Sequence, residues 1–264
     1  MKRKLGIVAE FVHNVPATEN LELIKEAGFE AYFTGRYREK DVFELKNKGD
    51  KLGLSCDFLH APFAGINAMW QNGMDYLTVF QNIKTAIDAA AENGVPAVVV
   101  HLSSGWTPPE ICDLGLSRYD ALVEHAIKRN VTVAFENLRR LGNLAYMLDR
   151  YEKIPQVGFC YDNGHEHCFT EDLPFLELFG KRTVCTHLHD NTGIRKDDPT
   201  IKNDNHHLPF DGDFDFPKMM QRLNACGYEG TLMLEVWIKD HYIGTDPREF
   251  ITTAYERIKI ISEM

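Results

Sequence analysis

Six apolar runs in this chain, one after another, finish on a side chain that can ligate a metal: His60, His101, Glu136, Asp162, His187 and Glu235. Any one of them alone would read as a helix cap or a solvated loop residue; six in phase are hard to reach by accident. Imidazoles and carboxylates in one set suit Zn²⁺, Mn²⁺ or Co²⁺ and leave coordination positions for substrate oxygens. An ion held in that way polarises a carbonyl or hydroxyl oxygen, and a neighbouring carboxylate can then move a proton. Glu136 and Glu235 are the pair expected to face one another across the site, abstracting and returning that proton. More candidates follow the runs closely. Asp162-Asn163-Gly164-His165 would bring His165 round a tight glycine turn, His189 lies two residues beyond His187, and Asp204 and His206 stand in i, i+2 spacing. Asn137, next to Glu136, can support the ligand shell by hydrogen bonding. His167 and His207 are expected to face solvent, and Lys181, Arg182, Lys196 and Lys202 to be surface charges.

The elements that must position these residues repeat one pattern: an amphipathic stretch, a turn marked by Gly or Asn, then an apolar run rich in β-branched residues. The turns are EAGFEA (26–31), KLGLSC (51–56), ENGVPA (92–97), KRNVTV (128–133) and ACGYEG (225–230). Gly or Asn after an amphipathic segment is a helix stop. Strands are predicted at 5–10, 30–34, 54–60, 97–101, 131–136, 157–162, 183–187 and 231–235. Helices are predicted near 18–27, 40–52, 75–93, 116–129, 142–152, 172–179, 214–226 and 247–262. Strict alternation, eight times over, predicts an α/β fold of one domain over residues 1–264, a (β/α)8 or TIM barrel. An open doubly wound sheet would more often carry a Gly-rich phosphate loop after its first strand, and none follows the first run here. The C-terminal ends of barrel strands form the functional face. Two residues before each candidate stand Phe58, Val99, Ala134, Cys160, Cys185 and Met233, which share a strand face with the ligand set and form an apolar layer beneath it. Cys160 and Cys185 therefore read as core. The long connections at 61–74 and 190–213 are expected to be functional, the second as a cover over the site.

The chain has 264 residues, 44% of them hydrophobic and 26% charged, enough apolar material for one large core. No run approaches the roughly 20 apolar residues of a membrane span, and the run after the basic start Met1-Lys2-Arg3-Lys4 is cut by Glu10, too soon for an export signal. Six scattered cysteines without a Cys-x-x-Cys pair fit reduced thiols, and the expectation is a cytoplasmic protein. A formal net charge of −10 argues against nucleic acid as the main partner. A homo-oligomer is compatible with the sequence.

LHAPF (59–63), VVVHLSS (98–104), VAFEN (133–137), FCYDNGHEH (159–167), THLHDN (186–191), DNHHLPFDGDFDF (204–216) and GTLMLEV (230–236) together resemble the xylose isomerase-like barrel superfamily of sugar phosphate isomerases, epimerases and endonuclease IV. In its epimerase branch the resemblance implies one metal held by Glu136, Asp162, His187 and Glu235, with the two glutamates as acid and base. In endonuclease IV it implies a trinuclear zinc cluster, whose nine counterparts here are His60, His101, Glu136, Asp162, His165, His187, Asp204, His206 and Glu235. The GIVAEF start (6–11) departs from the His-Val-Ser type segment of endonuclease IV, and the acidic balance suits DNA poorly. The expected activity is a metal-dependent isomerase or epimerase of a small sugar, polyol or sugar phosphate, with zinc or manganese as cofactor, one ion or, with the surplus histidines, two or three. A zinc phosphodiesterase of the endonuclease IV kind, and a lyase or dehydratase on the same barrel, are the alternatives.

Overall fold

The computed structural model describes residues 3–170, 173–195, 198 and 203–264. Strands and helices alternate along the chain: β1 (Leu5–Val8), α1 (Ala17–Ala27), β2 (Ala31–Thr34), α2 (Glu39–Leu52), β3 (Ser55–His60), α3 (Tyr76–Glu92), β4 (Ala97–Val100), α4 (Asp113–Arg129), β5 (Thr132–Glu136), α5 (Leu141–Arg150) and β6 (Val157–Asp162). They continue with α6 (Asn163–Phe169), α7 (Phe175–Phe179), β7 (Thr183–His187), α8 (Phe216–Ala225), β8 (Leu232–Leu234) and α9 (Pro247–Ser262). All strand pairs are parallel in the order β7-β6-β5-β4-β3-β2-β1-β8. The ends meet just past β7, where Leu188 N–H donates to Met233 O at 2.8 Å and Glu235 N–H to Leu188 O at 2.9 Å, so the sheet curls into a nearly closed barrel.

The helix stops fall where the turns place them. Gly28, Gly53 and Asn130 all cap in the left-handed conformation, with φ of 109°, 69° and 54°. Helices pack outside on an apolar core, and Phe58, Val99, Ala134, Cys160, Cys185 and Met233 are all buried as the layer under the strand ends. All six cysteines are free thiols. Among the described residues no helix is long and apolar enough to cross a membrane.

Four local expectations are corrected. Arg182 is half-buried rather than a surface charge, donating to the carbonyls of Leu148, Tyr151 and Val157. The stretch after Asp162 is not a glycine turn but a helix, α6, because the Asp162 carboxylate accepts from the His165 backbone N–H at 2.6 Å and caps it. The helix expected at 172–179 is the short α7, begun after Pro174 and continued by one tight turn, Gly180–Arg182. His167 and His207 are half-buried rather than solvent-facing: His167 lies 2.9 Å from Asp213, and the His207 ring lies against His241 and Tyr242. Lys196 and Lys202, and parts of the 190–213 connection, lie outside the described residues.

Candidate metal centre and active site

Parallel pairing brings the strand ends into one ring. His60, Glu136, Asp162 and His187 are the last residues of β3, β5, β6 and β7, while His101 and Glu235 follow β4 and β8 by one residue. Glu136, Asp162, His187 and Glu235 each offer a ligand atom, and these atoms all lie within 4.8 Å of one another. Glu136 is shared with a second group: His60 and His101 bring their Nε2 atoms to 3.4 and 3.0 Å from its Oε2. A third lobe is built by α6 and the loop after β7. There Asp204 carboxylate oxygens stand 3.6 Å from His165 Nε2 and 3.2 Å from His206 Nε2, and His189 Nε2 is 3.2 Å from Asp162 Oδ1. That loop is pinned to the barrel by two backbone hydrogen bonds between Asp190 and His207, both 2.8 Å, and His206 takes a left-handed φ of 50° to turn inward.

Backbone carbonyls orient the rings. His60, His165 and His206 each offer Nδ1 to a carbonyl, of Ala61 (2.9 Å), Asn137 (3.1 Å) and Glu235 (2.9 Å), which leaves Nε2 toward the cavity. Asn137 supports the ring as expected, though through the main chain: its amide spans the Asp162 backbone, donating to O at 2.7 Å and accepting from N at 2.8 Å.

The donor set fits a cation by what it leaves unpaired. Glu136 Oε2, Asp162 Oδ2, Asp204 Oδ1 and both ring nitrogens of His187 and His189 are buried without a hydrogen-bond partner. Buried polar atoms are normally satisfied, and carboxylates and imidazoles crowded together at 3.0–3.9 Å without well-aligned hydrogen bonds are costly unless a cation sits among them. Zinc or manganese matches the mixture of carboxylate and imidazole.

With no cation added, the two glutamates diverge. Burial would raise the Glu136 carboxyl, but the imidazoles of His101 and His187 outweigh it and hold the group well below the usual range. Burial, joined by the neighbouring Glu136 and Asp162 carboxylates, pushes Glu235 well above it. Burial presses the His206 imidazole down to about 4, neutral and ready to donate a lone pair.

The ring floors a cavity of about 370 Å³ whose walls include Phe63, Trp106, Arg139, Phe169 and Trp237. A neighbouring cleft, reached past His60, Phe63, Glu235 and Trp237, is lined by Glu10, Arg36 and Tyr37. None of these wall residues stands out by type. What marks them is position, two to six residues past a strand end or at the end of α6.

Comparison with known proteins agrees with this architecture. The chain is 33% identical over 175 residues to y4fM, an uncharacterised protein of Sinorhizobium fredii (strain NBRC 101917 / NGR234), a match covering 61% of this chain and 53% of that one. The chain thus spans about half the length of that relative. The solved structure of the IOLI protein with a binding zinc atom superposes with a TM-score of 0.78 at 17% identity, over 98% of both chains. D-psicose 3-epimerase with D-tagatose from Clostridium cellulolyticum H10 superposes at 0.77 with 15% identity, again over 98% of both. At those identities the likeness is one of fold. The family model described as the xylose isomerase-like TIM barrel matches residues 21–259, and the chain belongs to that family.

Proposed function

We propose that this protein is a divalent-metal-dependent isomerase or epimerase that acts on a small sugar, polyol or sugar phosphate by proton transfer at carbon. The observation that carries the reading is the pair Glu136 and Glu235, which share one cavity of about 370 Å³ and stand, with Asp162 and His187, with ligand atoms all within 4.8 Å of one another. Two carboxyls on either side of one small cavity suit the roles of base and acid. The residues that would hold the ion are Glu136, Asp162, His187 and Glu235. What a bound zinc or manganese ion supplies there is polarisation of a sugar oxygen and compensation for the negative charge left when the proton departs.

The rest belongs to the chain. One glutamate takes the proton from the substrate carbon and the other returns one to the product. His60, His101 and His206 line the same cavity and can bind sugar hydroxyls. Phe63 and Trp237 line both this cavity and the neighbouring cleft, and their rings offer apolar faces to the substrate's carbon skeleton. The kinship of fold with D-psicose 3-epimerase supports a sugar substrate.

A second reading, a phosphodiesterase of the endonuclease IV kind, draws on the gathering of all nine counterpart residues about one cavity and its floor. A small cavity with one Arg and no Lys among its described lining residues, in a chain of net charge −10, favours the sugar. The proton-transfer scheme is tested by turnover in D₂O with the best substrate from a panel of ketoses, polyols and their phosphates. Deuterium should enter one substrate carbon, or the proton should pass within the carbon pair. Migration of the carbon-bound hydrogen as hydride would refute the two-glutamate scheme.

A further inference from the structure

Arg139 follows Glu136 by three residues, and its side chain enters the cavity wall between two aromatic rings. Its guanidinium carbon stands 3.8 Å from the centroid of Trp106 and 3.7 Å from that of Phe169. Phe169 in turn stacks on His165, centroids 4.6 Å apart and planes within 13°. The clamp is therefore continuous with the candidate metal centre through two ring contacts. Trp106, 49% exposed, forms its outer jaw at the cavity rim.

Stacking occupies both faces of the guanidinium and leaves its N–H donors in the plane, directed outward along the edges. Among the described residues those donors meet no acceptor: Arg139 forms no hydrogen bond and no ion pair. Partial burial lowers its pKa, and the neighbouring Cys168 and Asp204 side chains, which act to raise it, offset only part of that. Elsewhere in this chain partly buried arginines are satisfied. Arg222 is held by Glu166 and Glu177, Arg182 by three carbonyls, and Arg118 by three more. Arg139 is also the one Arg or Lys among the described residues that line this cavity, and Ser103, Ser104 and Gly105 line the same wall.

We propose that Arg139, clamped between Trp106 and Phe169, binds an anionic group of the substrate, so that the cavity selects a sugar carrying a terminal phosphate or carboxylate over a neutral one. A planar fork with free edges matches either anion bidentately, and the serine hydroxyls of the same wall can complete its coordination. The sugar oxygens then reach the strand-end ring while the anion stays at the rim. The inference rests on the reading of this cavity as a sugar site.

The test is calorimetric titration of the metal-loaded protein with three ligands of one carbon skeleton: a neutral ketohexose, its terminal phosphate ester and the matching ketohexuronate. Wild type should bind at least one anionic ligand about tenfold or more tightly than the neutral sugar, and which of the two identifies phosphate or carboxylate. Arg139→Gln should remove that preference, and Arg139→Lys, which keeps the charge but not the fork, should restore only part of it. Metal content and circular dichroism verify that both variants are folded and loaded. Equal affinity of wild type for all three ligands would overturn the anion site and leave the sugar site standing, as would a preference that survives in a folded Arg139→Gln. Loss of all three ligands in equal measure in Arg139→Gln would instead mark a residue that merely shapes the wall, and the anion proposal would fall. Absence of binding by any of the three to wild type would overturn the sugar-site reading and this inference together.

Discussion

His189 and Gly164 illustrate how tightly the residues around the ring are fitted. A Cβ added at Gly164 would lie 1.9 Å from the His189 ring, on a helix that also carries His165. The glycine is present because α6 must pass against an imidazole, not because a turn needs its conformational freedom. Gly164→Ala is expected to displace His189 or the first turn of α6 and to cost roughly 1–3 kcal/mol, as overpacking of a filled interior does. Urea unfolding of the purified variant would read this as a lowered midpoint at unchanged slope, and an unchanged midpoint would show that the ring has room to move. The same two residues mark what was legible in the chain. Every ligand candidate named from the sequence, His189 and the Asp204/His206 pair included, lies at the ring or its third lobe. Phase along a strand determines facing, and parallel register carries that phase from one strand to the next. The wall residues Trp106, Arg139 and Trp237 were not legible, since they sit on irregular backbone where no period applies.

At the scale of elements, α6 is the piece whose placement was least foreseeable, and it is held by a buried charge pair. Arg222 on α8 reaches Glu166 on α6, Nη1 to Oε1 at 2.5 Å, and Glu177 on α7 at 2.7 Å. The Glu166 side chain is 1% exposed and that of Arg222 14%, so solvent screening is weak. Replacing Arg222 with Met would remove the guanidinium that faces the buried Glu166 charge. A loss of about 3 kcal/mol is expected, in the range seen when one partner of a buried pair is removed. Thermal unfolding checks the magnitude. A change below about 0.5 kcal/mol, as for a surface pair, would mean that the latch does not hold α6. Strand and helix positions were readable elsewhere because Gly28, Gly53 and Asn130 punctuate them. After Asp162 the glycine mark misleads, since Gly164 lies inside α6, and the cap that starts α6 depends on a side chain equally able to serve as a metal ligand.

At the scale of the whole molecule, the barrel closes eight parallel strands so that three carboxylates and an imidazole from β5, β6, β7 and β8 converge on one point, with His60 and His101 beside them. Such a concentration of buried carboxylates and imidazoles is stable in a folded chain when a cation joins it. The most direct test for that cation is elemental analysis. Wild type and a Glu136→Gln, Glu235→Gln double variant would be loaded with zinc or manganese, freed of loose ions by gel filtration and compared at equal protein concentration. Wild type is expected to hold at least one ion per chain, and the variant to lose most of it at unchanged circular dichroism. Two or three zinc ions per chain would show that His60, His101, His165 and His206 complete a cluster. Equal metal content in the two proteins, with the fold intact, would contradict the central claim.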